Sequence, residues 1–122
     1  MSKKIIFVAF SIEDASQRDL LKGQSLNTNS PFEYIDMSVK EAYDSDWKLK
    51  VKTRISRSDG IIALASKNSL NSSGQKWEIS CALELKKPII GIWIYKNDCT
   101  PLGGIKTVIW TWDEIAKFIN NL

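Results

Sequence analysis

Glu78 is the residue whose type and placement invite chemistry. On a helical projection of residues 76–87 at about 100° per residue, Lys76, Ser80, Glu84 and Lys87 share one arc, and Trp77, Cys81, Ala82 and Leu85 share the opposite one. Glu78 falls in the middle of the apolar arc, near the expected helix start. An exposed first-turn glutamate merely favours the helix dipole. One aimed at apolar surface is partly buried or faces a cleft, and burial raises a carboxyl's pKa into a range useful for chemistry. The chain has no histidine, which excludes Ser/His and Cys/His nucleophile pairs and the commonest general base. Cys81 and Cys99 have no metal-ligand spacing, so no metal site is expected. A Gly-rich phosphate motif is also missing, so hydride and phosphoryl transfer lack their parts. A lone carboxylate in a cleft suits glycosidic-bond chemistry, where it stabilises or captures an oxocarbenium-like centre.

The elements that must position Glu78 are legible along the chain. Lys4–Phe10, "KIIFVAF", reads as a buried strand, and "SIEDASQRDLLKGQ" as a helix that Gly23 ends. Phe32–Asp36, "FEYID", alternates as a second strand, followed by a loop, "MSVKEAYD". Ser45 can cap a helix running to about Arg57, with Trp47, Val51 and Ile55 repeating every four residues. Asp59–Ala65 is a third buried strand, "SKNSLNSSGQ" a polar loop, and Pro88–Tyr95 a fourth, almost wholly apolar strand. Lys106–Trp110 is a short fifth strand and Asp113–Asn120 a closing helix.

This alternation predicts an α/β three-layer sandwich. The expected sheet has five parallel strands in the flavodoxin-like order 2-1-3-4-5, with helices on both faces. Ligands of such sheets sit beyond the carboxyl ends of the strands, near the switch point between strands one and three. Phe10–Glu13, the loop after Asp36, Ser66–Gln75 and the start of Glu78's helix all gather on that edge.

With 122 residues, 43% of them apolar and 25% charged, the chain is expected to form one domain, 1–122. No apolar run approaches 18 residues, and "IIFVAF" is too short for a signal core. A cytoplasmic protein with reduced cysteines and no membrane contact is expected. The net charge of +3 suits anionic small molecules, and is less concentrated than nucleic-acid binders require. The basic residues of the second helix, Lys48, Lys50, Lys52, Arg54 and Arg57, spread around it as a solvated face rather than one stripe. Asp59 lies at the opposite edge of the sheet as a turn or cap, and "CTPLGG" reads as a turn.

The segments "KKIIFVAFSIED", "SRSDGIIALAS" and "KWEISCALELKKPIIGIW" resemble TIR-like domains, the bacterial branch in particular. The resemblance covers nearly the whole chain and keeps the element order. Catalytic TIR domains cleave the nicotinamide–ribose bond of NAD with a glutamate in the third helix, and by its place in "W-E-I-x-x-A" that glutamate corresponds to Glu78. NAD is then a substrate, with no resident cofactor. Several bacterial members turn the ADP-ribose into a cyclic or transferred signal for a separate effector, as in Thoeris anti-phage defence. The implied partners are therefore NAD, that effector, a phage-derived trigger and further copies of the chain.

The resemblance places substrate contacts at Phe10 and Ser11, a ring for nicotinamide or adenine and a hydroxyl for ribose. The alternative is a core Phe10 with Ser11 capping a turn. Asp36 reaches toward ribose hydroxyls or simply forms a turn. Many relatives have a tryptophan four residues before the glutamate, where this chain has Gly74. Trp77 is a candidate substrate contact, but it points about 100° away from Glu78 on the helix, which favours core packing.

Two alternatives remain at this point. The third strand, glutamate helix and fourth strand are also similar to nucleoside 2-deoxyribosyltransferases, although the Asp and "GT" pair common there are missing. A TIR module that binds other TIR surfaces and cleaves nothing would have no need of an inward Glu78.

Overall fold

The computed structural model describes residues 4–25, 34–36 and 47–122. In chain order it comprises β1 (Lys4–Ala9), a 3-10 helix (Ile12–Asp14), α1 (Ala15–Ser25), β2 (Tyr34–Asp36), α2 (Trp47–Arg57) and β3 (Gly60–Ala65). A second 3-10 helix (Lys67–Asn71), α3 (Ser73–Glu84), β4 (Ile89–Trp93), β5 (Thr107–Ile109) and α4 (Trp112–Asn120) complete it. The strands form one sheet in the order β2-β1-β3-β4-β5. Every neighbouring pair is parallel.

Strand side chains alternate between the two faces, and the apolar residues divide accordingly. Ile6, Val8, Ile62, Leu64 and Ile92 meet Leu21 of α1 and Ile115 and Ile119 of α4. Phe7, Ala9, Ile61, Ala63 and Ala65 meet Val51 and Ile55 of α2 and Ile79 and Ala82 of α3. Both faces of the central strands are thus covered, which is why β1 and β3 read as unbroken apolar runs. Among the described residues no helix is long and apolar enough to cross a membrane.

Several sequence-based boundaries move. Gly23 does not end α1, which continues to Ser25. Ser45 and the loop at 37–46 lie outside the described residues. The expected polar loop "SKNSLNSSGQ" is mostly helical. Ser66 caps the 3-10 helix by accepting from the Asn68 amide. Ser72 then caps α3 by accepting from the Gln75 amide at 3.1 Å. Two Ser caps in succession reconcile loop-like composition with helical backbone. Asp59 sits at the amino edge as expected, where its carboxylate accepts from the Ile5 amide at 2.8 Å.

Candidate functional site

α3 reaches the carboxyl edge of the sheet through one side chain. Gln75, fully buried, donates from its amide nitrogen to the carbonyls of Ala9 (3.1 Å) and Leu64 (2.8 Å). Ala9 ends β1 and Leu64 lies next to the end of β3, so Gln75 pins the start of α3 over the switch point between these strands. Its own carbonyl oxygen is buried with no hydrogen-bond partner. Glu78 lies three residues further on, on the same helical face and about 4.5 Å along the axis.

Because α3 begins at Ser73, Glu78 stands in the second turn rather than at the helix start. A helix-dipole role fades beyond the first turn, so it does not explain the residue. Glu78 is only 3% exposed. Burial pushes its carboxyl up to about 8 from the ordinary 4.5, and burial is the sole cause. Glu78 does not line the clefts beside β4 and α4, between α3 and Leu102, beside Trp110, or beyond the ends of β3 and β4.

The other candidates are distributed around this edge. Phe10 is 5% exposed and belongs to the core on the α1/α4 side, with the Arg18 guanidinium 5.0 Å from its ring centroid. Ser11 is fully buried, and its hydroxyl donates to the Glu13 carboxylate. That hydrogen bond is the main reason the Glu13 carboxyl is held below the usual range. The backbone of Asp36 ends β2 opposite Ile6, and its side chain lies outside the described residues. Trp77 is half-buried and meets Trp47 edge-on, with ring centroids 5.2 Å apart and planes at 71°. The Lys48 ammonium lies 5.9 Å and 5.8 Å from the Trp47 and Trp77 ring centroids. These contacts occupy Trp77 with α2.

Asp14 has a role the sequence did not disclose. This fully buried carboxylate accepts from the Ser66 hydroxyl at 2.6 Å, the Asn68 amide nitrogen at 2.9 Å and the Tyr95 hydroxyl at 3.0 Å. It therefore joins the segments that follow β1, β3 and β4. "SIED" reads locally as the opening of a helix, and its partners are more than 50 positions away, so no local pattern signals the junction.

The model of the family described as Thoeris protein ThsB, TIR-like domain, matches residues 7–98, which include Glu78, Asp14 and Gln75. The chain belongs to this family. No curated protein matches the chain. Among solved structures it is similar to a CMP N-glycosidase from Clostridium botulinum, BcmB, at a TM-score of 0.56 and 17% identity. That match covers 98% of this chain and 100% of the other. At such identity the likeness concerns the fold: this TIR-like chain and an N-glycosidase share an arrangement of sheet and helices.

Proposed function

We propose that the chain is a glycosidic-bond-cleaving enzyme whose substrate is NAD and whose catalytic residue is Glu78. The observation that carries the reading is a buried carboxyl on a helix pinned over the β1/β3 switch point, within a family-model match to a TIR-like domain. As the nicotinamide–ribose bond breaks, its electron pair passes to the nicotinamide nitrogen and neutralises that ring. Positive charge moves to the ribose anomeric carbon, where an ionised Glu78 stabilises it. Water or a hydroxyl of the ADP-ribose then attacks that carbon and loses a proton. The second outcome gives a cyclic signal for a separate effector in anti-phage defence. The cationic ring itself favours ionisation of Glu78, so NAD binding near neutral pH should release a proton.

A second reading is a nucleoside or nucleotide N-glycosidase, the activity named for the similar structure or that of a 2-deoxyribosyltransferase. One observation favours it: a carboxyl with a pKa near 8 holds its proton at neutral pH. A neutral base leaves more readily when protonated, and Glu78 would supply that proton.

Purified protein incubated separately with NAD, CMP and 2′-deoxynucleosides, followed by mass spectrometry of products, distinguishes the readings. A parallel incubation in lysate of phage-infected cells supplies the trigger. Loss of NAD with formation of an ADP-ribose product is expected. Base release from CMP or a deoxynucleoside with NAD intact selects the second reading. No turnover of any substrate, with or without infected lysate, leaves the interaction-module alternative.

A further inference from the structure

A cleft of about 950 Å³ opens beyond the carboxyl ends of β3 and β4, and Glu78 is not among its lining residues. Lys67 and Asn68 form one wall, and Tyr95, Lys96, Cys99 and Thr100 form the other. Its volume suits a nucleotide-sized ligand, and it opens on the edge where parallel sheets hold ligands.

The walls are held from below. Asn68 and Tyr95 both donate to buried Asp14. The Trp93 indole donates to the Thr100 carbonyl at 2.9 Å. Asp98, the carboxylate of the cleft, accepts from the backbone N–H groups of Lys67 (2.7 Å) and Thr100 (3.1 Å) and from the Thr100 hydroxyl. The Thr100 hydroxyl and the Lys67 amide hold its carboxyl below the usual range. Three hydrogen bonds thus commit most of its acceptor capacity to shaping the turn. Against this one carboxylate stand two exposed ammonium groups, Lys67, which attracts Asp98 at longer range, and Lys96; neither makes a close ion pair among the described residues. Such a surplus of cationic donors over available acceptors selects an anion, and lysine binds phosphate as a point charge.

We propose that this cleft binds a phosphate-bearing nucleotide or sugar phosphate, with Lys67 and Lys96 on the phosphate oxygens. The inference does not depend on the glycosidase reading, because it uses no group of that reaction.

Cys99 supplies the test: it is exposed in the cleft wall, whereas Cys81 is buried. The rate at which a maleimide labels Cys99 is measured alone and with CMP, cytidine, ADP-ribose or inorganic pyrophosphate, using Cys99→Ser as the blank. CMP and ADP-ribose should slow labelling on the order of tenfold at saturation, and cytidine should not, since a charged hydrogen-bonded contact is what differs. Protection by pyrophosphate as well assigns binding to the phosphate alone, whereas its absence assigns a share to the sugar and base. Lys67→Ala/Lys96→Ala should label at the wild-type rate without ligand and lose the protection. Glu78→Gln should keep it, even where NAD and CMP prove not to be substrates. Equal protection by cytidine and CMP, no protection by either nucleotide, or full protection in the double variant would each overturn the proposal. Loss of protection in Glu78→Gln would also overturn it by moving the ligand to the other site.

Discussion

A carboxyl whose pKa is raised by burial binds its proton more tightly in the folded chain than in the unfolded one. For Glu78 the folded value is about 8 and the ordinary one 4.5. Between these values the folded state holds a proton that the unfolded state has lost, so this residue's contribution to stability falls as pH rises. The slope is at most about 1.4 kcal/mol per pH unit. Urea unfolding at pH 5, 6.5 and 8 should show wild type losing stability relative to Glu78→Gln across that window, and equal curves would remove the burial argument. In catalysis, Glu78→Gln should cut turnover of the cleaved substrate by on the order of a hundredfold, about 3 kcal/mol of transition-state stabilisation. Glu84→Gln, on the exposed arc, should change little. The pH profile then separates the roles. A stabilising carboxylate gains activity as pH rises toward 8, and a proton donor loses it.

The helix that carries Glu78 owes its position to Gln75. Gln75→Glu would set carboxylate oxygens against the Ala9 and Leu64 carbonyls and should cost about 3 kcal/mol or more. Gln75→Leu forfeits the two hydrogen bonds but also removes the unpaired buried oxygen, and should cost less. Chemical denaturation of the two variants gives the order, and a reversed order would mean that Gln75 does not hold the strands. Helix periodicity revealed the inward face of α3 and hence Glu78, and apolar runs revealed β1, β3 and β4. The start of α3 was not legible, because "NSSGQ" has loop composition and becomes helical only through the Ser72 cap and the burial of Gly74 and Gln75. Phe10 was open between core and substrate, and burial in the α1/α4 core puts packing foremost. Phe10→Ala should then cost about 3–5 kcal/mol, and turnover lost without that cost would restore a substrate role.

Across the whole molecule, the alternation of strand and helix was legible because both faces of the central strands are covered, so that β1, β3 and β4 read as apolar runs. Tight contacts between strands were not legible. A Cβ added at Gly91 would lie 2.6 Å from the Thr107 hydroxyl oxygen on the neighbouring strand. Gly91→Ala should therefore lower stability by about 1–3 kcal/mol, and Thr107→Ala in the same chain should recover part of it. Melting curves of the single and double variants check the coupling. Asp14 carries a consequence of another kind. Its partners lie 52, 54 and 81 positions away in sequence. Closing such long loops is slow, and the bonds are rewarded only after the sheet has aligned its strands. They should therefore be absent from the folding transition state and serve as a latch on the finished molecule. Stopped-flow measurements of Asp14→Ala should show faster unfolding with nearly unchanged refolding, so that the lifetime of the native state depends on a carboxylate that plays no part in reaching it.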